Sequence, residues 1–413
     1  MKRTLPFGIF STLSLFISAA VFAQHDRFAY AITDVTKDGS NWNALRKLDL
    51  QTGAYSTFFF NGTDVKTEAF DAVSKKAVAV KEDSRYGNYL QAPFSTGVAA
   101  MAYDKKHNRL YFTPMFIDQL RYIDLKTMKL YEVTDAAFTG LGNMHNDEAK
   151  CVTRMVIAPD GTGYALTNDA NTFIKFTTGK KPTITQLGAL VDDPSNQGIS
   201  VHNRCSSFGG DMIADDRGNL YILSARNHVF KVATDTKVAT HLGAITGLPG
   251  TFTVNGAVVD AEGSLLVSSA VDASSYYVVD AKSWKALPYT MNGEIYRSSD
   301  LGNSNYLSFS SNTPTIETVA ARQAVRNNLV QVYPNPVVGK QFTLQFTKVP
   351  AGNYIVEMTD VMGRKVEERR LTVSAENETQ TIPLTATHAN GFYLLKVIGA
   401  NKKAIFEQKV MVQ

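Results

Sequence analysis

An all-β chain in two parts, a β-propeller followed by a small Ig-like β-sandwich, is the fold the sequence predicts, and three observations predict it. A strand-turn-strand unit recurs roughly every 40 to 55 residues between residue 28 and about residue 310. A polar stretch interrupts the pattern after Phe309, and a second set of short alternating strands fills residues 329–413. The length of 413 residues fits two domains. The balance of 23 Phe and 18 Tyr against 2 Trp suits strands. A net charge of +4, from 42 basic and 38 acidic residues without a long run of either sign, argues against a nucleic-acid partner.

The amino terminus reads as a targeting segment. Lys2 and Arg3 precede an apolar stretch from Leu5 to Phe22 that ends in Val21-Phe22-Ala23. Ser11, Thr12, Ser14 and Ser18 dilute it below what a spanning helix needs. Residues 1–23 are therefore expected to be a cleaved signal peptide, with the mature chain in an oxidising compartment and without a transmembrane helix. In that setting the two cysteines, Cys151 and Cys205, form either a disulfide or a pair of free thiols.

Residues 24–310 carry the repeat. Five segments run from a short apolar strand through a tight turn into a second strand: Val98 to Phe112, Arg154 to Leu166, Asp211 to Leu223, Asn255 to Val267 and Ser299 to Phe309. Second hairpins follow at Leu120 to Leu130, Ile174 to Lys181, Val229 to Val238 and Tyr277 to Ala286. Residues 28–60 look like the same unit without its first strand. A four-stranded meander cannot bury both faces alone, so such units stack around an axis as blades. Six second strands against five first strands lead to an expectation of six blades, closed by pairing the last segment on the first, with five or seven left open. The strand-turn-strand from Asp211 to Leu223 is similar to NHL and SMP-30-like blades, a likeness that implies architecture rather than activity.

Loops that lead from one blade into the next line one face of a propeller, here residues 61–96, 135–150, 191–207, 245–252 and 291–298. Two of them echo each other, in Met144-His145-Asn146-Asp147-Glu148 and in Val201-His202-Asn203-Arg204. These residues, with Arg154, Asp211, Asn255 and Asp300 near the starts of inner strands, are the candidate ligand-binding set. His145 and His202 are expected to face a ligand rather than to hold the fold. Carboxylate and amide oxygens of Asp211, Asn255 and Asp300 would suit Ca²⁺, and a bound metal is what the SMP-30 likeness implies. Ala100 and Met155 occupy the matching places in other blades, which weakens that reading. The bland alternative is a set of solvated loops in which His-Asn pairs cap backbone groups. No nucleophile-elbow, zinc-protease, phosphate-loop or dinucleotide motif is present, and no catalytic residue is assigned.

Residues 311–328 read as a linker and 329–413 as a separate module of about seven strands. The module opens with Tyr333-Pro334-Asn335-Pro336. A Gly352-x-Tyr354 strand follows, then the turn Asp360-x-x-Gly363-Arg364, a second Gly391-x-Tyr393 strand, and Lys409-Val410 near the end. In this order the elements closely resemble the type A C-terminal sorting domain of the type IX secretion system of Bacteroidetes. That resemblance implies passage across the outer membrane and handling by the type IX machinery. It also implies removal of the module by a sortase-like peptidase within 310–330, then display on the cell surface or release. Three functions remain open for the propeller: a surface binding or scaffolding protein with an unidentified ligand, a metal-dependent hydrolase, and an accessory part of the envelope or secretion apparatus.

Overall fold

The computed structural model describes residues 25–413 apart from 59, 62–66, 80–81, 86, 89–92, 144–145, 290–292, 310–314, 316–317, 319–329, 348, 376, 385–388 and 400–403. The signal segment, nearly all of the linker and His145 lie outside the described residues.

Five blade sheets, not six, form the ring among the described residues. Blade 1 combines Ser298–Gly302 with Phe28–Thr33, Ala44–Asp49 and Phe60–Asn61. Blade 2 holds Val98–Asp104, Arg109–Pro114, Arg121–Asp124 and Lys129–Glu132, with Ala69–Asp71 added in parallel at its edge. Blade 3 is Val152–Ile157, Thr162–Thr167, Phe173–Thr177 and Ile184–Gly188. Blade 4 is Asp211–Ala214, Leu220–Leu223, His228–Val232 and Val238–Ala244, edged in parallel by Val191–Asp192. Blade 5 is Gly256–Val259, Leu265–Ser268, Tyr276–Asp280 and Lys285–Tyr289.

The absence of a sixth blade among the described residues has a physical origin. Tyr306 to Phe309 has strand-like alternation but forms no blade strand. Leu307 instead bridges Asp215, with Leu307 N–H donating to the Ala214 carbonyl at 3.0 Å and Asp216 N–H to the Leu307 carbonyl at 2.9 Å. Each of the five first strands thus heads one blade. The segment from Ser298 supplies the strand that residues 28–60 lack, in the register Tyr30↔Gly302, Ala31↔Leu301 and Ile32↔Asp300. Ring closure by the last segment on the first is as expected.

Local chemistry explains why these elements recur. Asp49, Asp124 and Asp280 each accept from the backbone N–H groups two and three residues ahead, the Asx geometry that starts a turn. Each such turn then needs a left-handed residue, supplied by Gly53, Met128 and Trp284. The inner strands are buried on both faces, whereas the outer Ile184–Gly188 is largely exposed. Five apolar clusters fill the five gaps between neighbouring blades. Between blades 5 and 1, for example, Ala29, Ala31, Leu48 and Leu50 pack with Val258, Leu266, Tyr276 and Leu301. The cyclic order of contacts between inner strands closes the ring.

We call the end where the inner strands begin the upper face. Met101, Met155, Met212 and Leu301 crowd the axis and leave a cavity of about 20 Å³ there, little more than one water occupies. Below it, residues 303–308 cross the lower mouth. The side-chain amides of Asn303 and Asn305 donate to the Val259 carbonyl at 2.8 and 2.9 Å, and Tyr306 Oη donates to the Ala158 carbonyl at 3.3 Å. Asp26 clasps this segment, accepting from Ser304 N–H, Ser304 Oγ and Lys105 Nζ.

The carboxyl-terminal sandwich packs the sheet Val330–Tyr333, Gln341–Thr347 and Asn377–Pro383 on the sheet Lys365–Val373, Gly352–Asp360, Gly391–Ile398 and Ala404–Val412. Its motifs have separate structural duties. Asn335 accepts from Met411 N–H at 3.0 Å and donates to the Lys409 carbonyl at 3.1 Å, which ties the entry motif to the last strand. Tyr354 and Tyr393 donate their hydroxyls to the carbonyls of Pro350 and Ala389, each four residues upstream, as a tyrosine corner does. Asp360 accepts from Met362 N–H, Arg364 N–H and Arg364 Nε around Gly363 at φ +79°.

Leu307 is fully buried among Ile213, Val259 and Trp284. Leu307→Ala is expected to cost about 2–5 kcal/mol, read as a lower urea midpoint. An unchanged midpoint would mean that the segment beneath the ring is not part of the core.

Candidate functional site

Because each second strand runs back antiparallel to the first, its turn into the third strand returns to the upper face, beside the loops that enter the blades. A cavity of about 790 Å³ opens there over blades 3, 4 and 5. Its walls come from Asn146, Asp147 and Glu148 before blade 3, from Arg204, Phe208 and Gly209 before blade 4, and from Thr251 and Thr253 before blade 5. The second-to-third strand turns add Asn168, Arg226 and Val271. Four of the residues expected from sequence, Asn146, Asp147, Glu148 and Arg204, therefore meet in one cavity. Asn168, Arg226 and Val271 lie in turns within a blade, outside the loops between blades to which the sequence pattern points.

The other described candidates serve the scaffold. His202 places Nδ1 2.8 Å from the Asp169 carbonyl and Nε2 3.2 Å from the Leu190 carbonyl, so whichever ring nitrogen is protonated finds a backbone acceptor. It does not line the cavity, contrary to the expectation. Asn203 caps the short helix Arg204–Ser207 by accepting from Cys205 N–H at 2.8 Å. Asn255 Oδ1 is engaged by Thr253 Oγ and Ala270 N–H. Cys151 and Cys205 are both free in the structure. Cys151 is buried beside the Asp147 carbonyl, whereas Cys205 is exposed on the short helix of the next blade. Burial pushes the Cys151 thiol up to about 11, which leaves it protonated and unreactive at neutral pH.

Arg154 lies fully buried beneath the cavity floor. Its guanidinium donates to the carbonyls of Ser207, Gly209, Thr167 and Asn168. Burial lowers its pKa to about 10, so it still carries its charge at neutral pH. The chain above it turns sharply. At Gly210, with φ +91°, an added Cβ would sit 1.9 Å from the Leu223 carbonyl oxygen, so only glycine fits.

Beside Arg154, Asp211 and Asp300 form a buried carboxyl pair. Asp211 accepts from Met212 N–H and Ala257 N–H, both at 2.6 Å, and Asp300 Oδ2 accepts from Met101 N–H at 2.6 Å. Asp300 Oδ1 has no conventional donor, and its neighbour is the Asp211 carboxyl. Two carboxylates this close in a dry site hold a proton between them. Burial raises both pKa values, Asp211 to about 8. That arrangement disfavours the Ca²⁺ reading, which needs both groups ionised and the Asn255 oxygen free. Among the described residues, no group of three or more His, Cys, Asp or Glu side chains converges.

The shared proton links stability to pH. The folded pair keeps its proton while an unfolded Asp, with a pKa near 3.9, has lost it. The stability it contributes is complete below about pH 4 and is lost as pH rises toward the pair's raised pKa. Asp300→Asn supplies a permanent N–H in place of that proton. The variant's melting temperature should therefore gain on the wild type between pH 5 and pH 8; a constant difference would exclude a shared proton.

Comparison with known proteins adds identity to the second module. Residues 331–413 match the model of the secretion system C-terminal sorting domain. No curated protein matches the chain. Among solved structures, the chain is similar to PorZ, a surface component of the type-IX secretion system of Porphyromonas gingivalis. Identity there is 16%, with 91% of this chain and 50% of that one covered at a TM-score of 0.36. It is also similar to the extracellular domain of a putative one component system from B. thetaiotaomicron, at 9% identity, 90% and 48% coverage and a TM-score of 0.37. A third is virginiamycin B lyase from Staphylococcus aureus, at 11% identity, 77% and 85% coverage and a TM-score of 0.29. The chain spans about half the length of the first two. Among the described residues no helix is long and apolar enough to cross a membrane. Residues 331–413 are a type IX secretion C-terminal sorting domain, and the chain that carries it is cargo exported to the cell surface or the extracellular space.

Proposed function

We propose that the propeller is a surface-displayed or released binding protein whose ligand enters the upper cavity. On this reading, residues 1–23 are removed on passage to the periplasm, and the sorting domain is trimmed within 310–330 after outer-membrane export. The observation that carries the binding role is the convergence of loops from three blades on one cavity at the upper mouth. On the lower face residues 303–308 cross the mouth beside a cavity of about 1080 Å³, while the upper cavity of about 790 Å³ is lined by polar and charged side chains and by Phe208. That volume lies in the range of small-molecule and oligosaccharide sites, and propellers present such sites on loops that the rigid blades hold still. Asp211, Asp300 and Arg154 belong to the foundation of the site in this reading, not to its chemistry.

The test fills the cavity. Thr251 is exposed on its wall, so Thr251→Trp should abolish retention of the full chain on arrays of envelope and host glycans and peptides. Its melting temperature should stay within a few degrees of the wild type. Retention undiminished by the tryptophan would place the ligand elsewhere, and no retention of the wild type on any array would reject a binding role.

A further inference from the structure

We infer that the upper cavity selects ligands bearing an acidic group, a carboxylate or a phosphate, through Arg204 and Arg226. The inference rests on the reading of that cavity as the binding site and goes on to name the chemistry it recognises.

The two guanidiniums come from adjacent loops of blade 4. Arg204 opens the short helix that Asn203 caps, and Arg226 sits in the turn between the second and third strands. Ser224 Oγ donates to the Ser206 carbonyl at 2.8 Å and Ala225 N–H to the Phe208 carbonyl at 3.2 Å, so the loops are stitched together. The Ala225–Arg226–Asn227 turn is held further by Ile245 N–H on the Asn227 carbonyl at 2.8 Å. The backbones that carry the two arginines are therefore fixed relative to each other. Both side chains are exposed and line the cavity, and neither makes a hydrogen bond, ion pair or ring contact among the described residues. This sets them apart from the buried Arg154 and Arg121, whose guanidiniums are spent on protein oxygens.

Charge balance gives the sign. Of the two carboxylates in the cavity wall, Asp147 is paired with Lys150 at 3.2 Å. Glu148 is then the one unneutralised anion facing two unneutralised cations. Beneath them, Arg154 engages the carbonyls of Ser207 and Gly209, negative ends that would otherwise be left for the cavity floor. A planar guanidinium pair with unused N–H groups recognises carboxylate or phosphate oxygens by charge-assisted hydrogen bonds. Asn168 and Thr253, also in the wall, can bond the uncharged part of the same ligand.

Three probes test this by calorimetric titration of the full chain: glucuronic acid, glucose 6-phosphate and neutral glucose. At least one acidic sugar is expected to bind about tenfold or more tightly than glucose, and the one that does identifies the acidic group. Arg204→Gln and Arg226→Gln should each weaken that binding about tenfold or more. Glu148→Gln should leave it equal or tighter, and added salt should weaken it. Glucose bound as tightly as both acids, unaffected by either arginine change yet abolished by Thr251→Trp, would overturn the charge selection and leave the cavity as the site. Acidic-probe binding that survives Thr251→Trp and both arginine changes but is lost in Lys106→Gln, a residue that lines the cavity of about 1080 Å³ on the lower face, would overturn both readings. Failure of both acids to bind at millimolar concentration would overturn the inference.

Discussion

Antiparallel pairing of Ser298–Gly302 with Phe28–Thr33 is the constraint on which the ring depends. Each blade has two apolar faces, and an open row of blades would leave one face bare at either end. Joining the last strand to the first covers both, so Ala29, Ala31, Val258 and Leu301 share one core although they come from opposite ends of the domain. Once the ring is closed, every inner strand begins on the same face. That common direction brings loops from three blades around a single cavity.

Beneath that cavity lies an unusual concentration of buried charge. Arg154 contributes one positive charge, and a carboxyl pair sharing one proton contributes one negative charge, so the group is close to neutral. Every member is also bonded to backbone: Arg154 to four carbonyls, Asp211 to Met212 and Ala257, Asp300 to Met101. These bonds reach across blade boundaries, from blade 3 to the entry loop of blade 4, from blade 4 to blade 5, and from blade 1 to blade 2. Buried ions without partners are costly; here they act as rivets that fix the angle between blades just where the loops must be held steady.

Much of the architecture was legible in the sequence because it depends on local chemistry. Asp49, Asp124 and Asp280 announce their turns by residue type, and Gly352-x-Tyr354 and Gly391-x-Tyr393 mark two corners by spacing. What depends on ring geometry was not legible. Tyr306 to Phe309 alternates like a strand, and only the position of the lower mouth turns it into a crossing segment. Asp211 and Asp300 are far apart in sequence and meet across the axis. His202 and His145 looked equivalent, yet His202 is held by two backbone carbonyls that its own sequence neighbourhood does not reveal. Arg226 sits in an ordinary-looking turn. The missing signal was strand direction, since any meander returns its second turn to the face from which its first strand left.

The joint between the two ends of the propeller also sets an order of events. Residues about 270 positions apart must meet before the first blade exists, and contacts between such distant parts of a chain are slow to form. A growing polypeptide that has not yet delivered Ser298 to Ser308 has neither its innermost strand in blade 1 nor the segment that seals the underside. The ring can therefore lock only after nearly all of it has been made.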